Sequence, residues 1–273
     1  MRRGWKVTMF ALLAAATLGA AATAQEVVLK DPSGDDFGPG AYVYPTDGVY
    51  KSGSFDLRQL KVATKGDNVV FEVSVGTDLE DPWRMGGGFA VQMAFIFIQT
   101  DAAAEGFAKA YPGLNVQFAP ESKWQKCVIL SPQPAARVKN EVETKSPDLL
   151  AGTVIPVRTR GSGRVLSATV PKSELGGGDP TTWSYQVLMQ SNEGFPDAAD
   201  LLTRKVNEFE GQHRFGGGND GDCDPHVIDL FAGAAVGDKA EIEEQKKMLA
   251  HECADDGTAK ALATIGLVRG TAK

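Results

Sequence analysis

Apolar and polar side chains alternate most clearly at residues 68–75. Val69, Phe71, Val73 and Val75 share one face, and Val70, Glu72 and Ser74 the other. A period of two over eight residues predicts a half-buried β-strand. The turn Lys65-Gly66-Asp67-Asn68 precedes it, so the run from Phe55-Asp56-Leu57 to Val62-Ala63 is its predicted partner. Phe89–Ile98 begins with alternation and ends wholly apolar, as a central strand would. Further strands are predicted at Lys126–Leu130, Ala136–Val142, Thr153–Thr159, Arg164–Val170, Trp183–Gln190 and Leu201–Glu208, and Ala263–Val268 supplies a candidate last strand. Gly and Pro punctuate these runs at the spacing of an antiparallel sandwich.

Helical periodicity is scarce. Pro171–Leu175 reads as one turn stopped by Gly176-Gly177-Gly178. Only Asp238 to about His251 reads as a proper helix, acidic in its first turn (Glu241, Glu243, Glu244) and basic after it (Lys246, Lys247), which complements the helix dipole. The expected fold class is therefore all-β, an antiparallel β-sandwich with one short C-terminal helix.

The N-terminus changes the picture. Arg2, Arg3 and Lys6 precede an apolar run from Val7 to about Ala20, and Ala22-Thr23-Ala24 is a small-x-small cleavage site. This is the pattern of a secretory signal peptide over residues 1–24, leaving 25–273 as a single mature domain. The run is too short and Ala-rich to predict a membrane span. Removing those three cations from 28 leaves 25 basic residues against 35 acidic, a formal net charge of −10. That balance argues against nucleic acid, whose phosphates need a basic face. Export would place the three cysteines in an oxidising compartment. Cys223 and Cys253 flank loop-rich segments near the end of the chain and are the expected disulfide; Cys127, inside a strand, reads as a buried thiol.

Three segments have candidate chemistry. Asp31-Pro32-Ser33-Gly34-Asp35-Asp36-Phe37-Gly38-Pro39-Gly40 sets three carboxylates among glycines, which suits calcium ligation or an ordinary polar turn. Asp220, Asp222 and Asp224 copy the first, third and fifth places of an EF-hand, but Pro225 and Phe231 replace its Gly and Glu, so a solvated acidic loop is expected there. Tyr42, Tyr44, Tyr50, Trp83, Trp124, Trp183 and Phe215 fall near loop–strand junctions, where an aromatic ring either stacks on a sugar or plugs the core. Trp83, with Arg84 beside it and Gly86-Gly87-Gly88 following, is the one expected at the surface. No GxSxG, HExxH or GxxxxGK(S/T) string occurs, so the chain is expected not to be an enzyme.

Asp31–Tyr44 (DPSGDDFGPGAYVY), Pro45-Thr46-Asp47, Gly53–Leu57, Asp81-Pro82-Trp83 and Phe209–Leu230 (FEGQHRFGGGNDGDCDPHVIDL) together resemble the C-terminal domain of glucodextranase. Similar domains occur in amylopullulanases and stand-alone exported proteins, and belong to the DOMON-like β-sandwiches related to family 9 carbohydrate-binding modules. The resemblance implies attachment to a polysaccharide or cell-wall glycan rather than hydrolysis, at a periplasmic, extracellular or cell-surface location. It makes Tyr44, Trp83, Arg84, Trp124 and Phe215 candidate ligand-binding residues. It also implies structural calcium, with Asp35, Asp36, Asp56 and Asp101 as candidate ligands. Gln99 departs from the pattern where an acidic residue is expected, and Asp101 is the carboxylate left to compensate. An alternative drawn from the wider DOMON-like group is haem-binding electron transfer, with Met85, Met93 or Met189 as axial candidates.

Overall fold

The computed structural model describes Met1, residues 26–233 and residues 236–272. The proposed signal peptide lies almost wholly outside the described residues. Two six-stranded sheets dominate. The first has the order β16-β1-β2-β3-β9-β8, from Thr271–Ala272 (β16), Glu26–Lys30 (β1), Leu57–Lys65 (β2), Asn68–Val75 (β3), Val165–Pro171 (β9) and Thr159–Ser162 (β8), and is antiparallel throughout. The second has the order β11-β10-β4-β6-β7, from Asp229–Leu230 (β11), Ser184–Ser191 (β10), Gln92–Gln99 (β4), Lys126–Leu130 (β6) and Thr153–Val154 (β7); Val268–Arg269 (β15) also pairs with β10. Only β6–β7 is parallel within it. Two smaller pairs join Glu252–Cys253 (β12) to Ala259–Ala261 (β13), and Val116–Phe118 (β5) in parallel to Ala263–Ile265 (β14).

The alternation at 68–75 becomes β3, with Val69, Phe71, Val73 and Val75 buried. These side chains meet Ala94, Ile96 and Ile98 of β4, Val128 and Leu130 of β6, and Val187 and Met189 of β10 in one core between the sheets. The opposite face of the second sheet is buried too. Met93, Phe95, Phe97, Cys127, Ile129 and Leu188 pack beneath a layer that includes Tyr111, Trp124, Val138, Val142 and Leu201. Double-sided burial explains why β4 is apolar at every position from Met93 to Ile98. A third cluster, Tyr42, Tyr50, Phe55, Val91, Val206, Phe215 and Ile228, fills one end.

Several expectations are corrected. Residues 136–142 lie in a helix, Ala135–Lys145 (α1), not a strand. Val138 and Val142, four apart, are its buried residues, and the pairs Lys139–Glu143 and Glu141–Lys145 run along its surface. The C-terminal helix, Glu241–Met248 (α2), is therefore the second helix rather than the only one. Leu201–Glu208 forms only isolated bridges, Asn192 to Thr203 and Val206 to Phe215, because Leu202 takes a left-handed backbone (φ 51°) that breaks a ladder. The expected strand 153–159 splits at Pro156, which has no N–H to donate. Cys223 and Cys253 form a disulfide with Cα atoms 5.3 Å apart, while Cys127 is buried and free. Among the described residues no helix is long and apolar enough to cross a membrane.

Candidate functional site

Two features stand out: a buried group of carboxylates and a cleft on the loop rim. The first gathers at the end of β1. Asp31 leaves that strand, its amide bonded to the Arg58 carbonyl at 3.0 Å, and Gly34 (φ 82°) turns the chain back so that Asp35 returns toward Asp31. Asp229 joins them from β11. One carboxylate oxygen from each of Asp31, Asp35 and Asp229 lies within 4.8 Å of the others. Asp229 is anchored by the amides of Leu57 (2.7 Å to Oδ2) and Leu230 (2.8 Å to Oδ1). Glu241 of α2 stands beside Asp31 and accepts from the amides of Ala232 and Gly237, both at 2.5 Å. Gln245 of the same helix donates to the Asp35 carbonyl at 2.6 Å, tying α2 to the loop.

No amide, hydroxyl or cationic donor among the described residues reaches either carboxylate oxygen of Asp31 or of Asp35, although these residues are only 5% and 3% exposed; Glu241 stands close enough to Asp31 to share a proton with it. Burial pushes the Asp31 carboxyl well above the usual range, and the neighbouring charges of Asp229, Glu241 and Asp35 add to the shift. Asp35 is raised to about 7, first by burial and then by Asp56. Burial likewise lifts Asp229, with Asp35 adding, and Asp36, Asp56 and Glu241 rise for the same primary reason. Buried, unpaired carboxylates are costly unless neutralised or paired with a cation. The donors are all oxygen, the chemistry of a hard divalent ion such as calcium, so the residues fit that group.

The second feature is set by the loop 81–88. The Asp81 carboxylate accepts from the amides of Met85 (2.6 Å) and Gly86 (2.8 Å), and Arg84 takes a left-handed conformation (φ 56°). The Gly87 carbonyl accepts from Gly161 of β8 at 2.7 Å, which fixes the loop to the first sheet. Trp83 is held 37% exposed, with its ring edge-to-face with His213 at 5.8 Å. It overlooks a cleft of about 280 Å³ bounded by Gln133, Arg137, Asn192, Phe195 and Arg204.

The cleft wall is a hydrogen-bonded frame. Gln133 donates to Asn192 Oδ1 at 3.1 Å and accepts from Arg137 at 3.2 Å; Arg137 also donates to the Gly194 carbonyl. Arg204, nearly buried, donates to the carbonyls of His213 (2.6 Å) and Asn192 (3.2 Å), and its Nε lies 3.4 Å from Glu193. Arg214 reaches the same Glu193 oxygen at 3.2 Å. Phe195, 92% exposed, also lines the cleft, its amide bonded to Glu193 at 3.0 Å. An exposed indole beside fixed amide and guanidinium groups can stack on one face of a pyranose and receive its hydroxyls.

The sequence model of a single family spans both features: the C-terminal, SLH-like binding module of glucodextranase matches residues 27–268. The chain belongs to that family. No curated protein matches it. The family is one of binding modules, and the matched span takes in the whole carboxylate group and the whole rim cleft.

Within this module the candidate residues separate. Asp35 sits in the buried group. Asp36 accepts from the Tyr44 hydroxyl, and Asp56 accepts from Gly34 N at 3.2 Å and Arg58 at 3.3 Å, so both flank the group with partners of their own. Asp101 lies on an exposed turn and accepts from its own loop at Ala103 N, 2.9 Å away. Trp83 is on the surface at the cleft, with Arg84 next to it and also exposed. Trp124 is not a surface platform: it is fully buried and donates to the Lys109 carbonyl at 3.0 Å. Phe215 is equally buried, against Tyr44 (4.9 Å) and Phe55 (5.2 Å). Met93 and Met189 lie in the cores on opposite faces of the second sheet, and Met85 lines the rim cleft.

Asp31 belongs to the opening segment read as a calcium loop, whereas Asp229 and Glu241 were missed as ligand candidates, as were Gln133, Arg137, Asn192 and Phe195 at the cleft. For Asp229 the signal was present, since it stands near the end of the closing string that carries the family resemblance. For Phe195 it was weaker, a single aromatic after Asn192-Glu193-Gly194 in a loop without pattern.

Proposed function

We propose that this module acts outside the cytoplasm as a non-catalytic binder of polysaccharide or cell-envelope glycan, through the rim cleft at Trp83. The observation that carries the reading is the exposed indole standing over a polar frame fixed by Gln133, Asn192 and Arg137. A non-catalytic role is supported by the carboxylates. Glycoside hydrolysis uses two facing acids; the cleft wall offers Glu193 alone, and that side chain is occupied by Arg204, Arg214 and the Phe195 amide. Export is supported by the basic-apolar-small pattern of residues 1–24 and by the Cys223–Cys253 disulfide, which needs an oxidising compartment to persist. Asp31, Asp35 and Asp229 would hold a calcium ion, with Glu241 close by; the ion would neutralise the buried charge and pin the opening loop to β11 and α2 without taking part in any reaction.

The test is retention. The mature protein should be held back in affinity electrophoresis or pull-down on at least one insoluble glucan or cell-wall preparation. Trp83→Ala should weaken that retention about tenfold, the loss of one stacked ring, and lower the melting temperature by no more than a few degrees, well short of the loss expected for a fully buried aromatic. Passage unretarded through the whole panel would remove the proposal. Release of reducing sugar abolished by a single carboxylate substitution would replace it with an enzyme.

A further inference from the structure

The rim cleft is electropositive in an acidic chain. The protein's formal net charge is −7. Yet the charged side chains lining the cleft and the hollow that adjoins it across Met85 and Gln133 are Arg137, Arg158, Arg204 and Glu193. Glu193 is neutralised by Arg204 and Arg214. Asp81, nearby in sequence to Met85, turns its carboxylate to the amides of its own loop. Arg137 is half-buried and bonded only to neutral acceptors, the Gln133 side chain and the Gly194 carbonyl, and Arg158 is exposed. Among the described residues neither guanidinium is ion-paired with a carboxylate.

We propose that the glycan taken by this cleft is acidic, a uronic acid polymer whose carboxylates are received by Arg137 and Arg158 while a ring face lies on Trp83. The inference rests on the glycan-binding reading above and adds its substrate class. A guanidinium presents paired donors that match a carboxylate, and a charge-assisted pair is stronger than a hydrogen bond to a neutral hydroxyl. Arg137 is also held in place: Gln133 orients it, and Asn192 orients Gln133, so little side-chain freedom remains to be lost on binding. A neutral sugar would cover these guanidinium groups without supplying a counter-charge, which disfavours it.

The decisive comparison keeps the ring and removes the charge. Binding of the mature protein to oligogalacturonate and oligoglucuronate is measured by calorimetry at low salt, beside their methyl esters and a neutral gluco-oligosaccharide. At least one free acid should bind about tenfold more tightly than its ester, the value of one charge-assisted contact, and the gap should narrow as salt is raised. Arg137→Gln with Arg158→Gln should abolish the gap while the protein still melts cooperatively and keeps its affinity for the ester. If ester and acid bind equally, or only the neutral oligosaccharide binds, the acid preference is overturned and the glycan-binding reading stands. If no soluble probe binds and no insoluble polymer retains the protein, both fall.

Discussion

Stripping divalent cations from the protein should lower its melting temperature by about 5–10 °C, and calcium alone should restore it. Asp31, Asp35 and Asp229 bring carboxylate oxygens within 4.8 Å of one another in a buried place, and those of Asp31 and Asp35 have no amide, hydroxyl or cationic donor among the described residues. An ion present at a hundred times its dissociation constant stabilises a fold by about 2.7 kcal/mol. In a domain of this size each kcal/mol moves the midpoint by about 2–4 °C. The sign of the pH effect separates this from a generic salt response. Burial raises Asp35 from 3.8 to about 7, and Asp31 and Asp229 also rise. A carboxyl whose folded pKa lies above its unfolded value binds its proton more tightly in the folded state. Its contribution is complete below about pH 4 and is lost as pH climbs toward 7. In chelator, stability should therefore fall from pH 4 to 7; with calcium it should not. Asp35→Asn should be at least as stable as wild type in chelator and less stable in calcium. Scanning calorimetry under both conditions reads all of this, and a melting curve indifferent to chelator would reject the ion.

Phe215→Ala should cost about 3–5 kcal/mol, the usual range for removing a buried aromatic side chain, and lower the midpoint by about 10 °C. The ring is 1% exposed in the end cluster, tilted against Tyr44 and edge-to-face with both Phe55 and Tyr50. Well below its transition, the variant should keep wild-type affinity for whichever polymer retains the protein. Trp83→Ala is the reverse case, losing affinity with a much smaller loss of stability. Denaturant titration beside affinity electrophoresis separates the two. A Phe215→Ala protein of wild-type stability that no longer binds would move the site to the end cluster.

The contrast between Trp83 and Phe215 marks where sequence reading stopped. Local rules reached far into the fold. Alternation gave β3, the Gly66 turn gave its pairing with β2, and the unbroken apolar run at 93–98 gave a central strand. They failed where a residue's setting depends on distant chain. Phe215 is buried by residues 42–55, and Trp124 by Phe97, Phe107 and Tyr111, contacts that no local period encodes. Residues 136–142 were ambiguous because Val138 and Val142 satisfy both a period of two and an i, i+4 helical face; Pro134, at the start of the helix, was the cue that favoured the latter. The acidic site was half legible. Asp35 stands in a loop that looks like a ligand loop by itself, whereas Asp229 comes from nearly 200 residues further on and is selected only by the topology that lays β11 beside β10.

Burial of β4 on both faces has a cost that falls before the fold exists. Met93-Ala94-Phe95-Ile96-Phe97-Ile98 is six apolar residues, four of them strong β-formers, with no charge, proline or glycine, the composition of an aggregating segment whenever it is unpaired. In the native sheet it is sealed between β10 and β6 and has no free edge. On a nascent chain it has neither neighbour, because β6 follows by some thirty residues and β10 by about ninety. Gln92, Gln99 and Asp101 then serve as gatekeepers at its ends. The demand these flanking polar residues meet is thus one of solubility while the chain is unfolded, more than of stability afterwards.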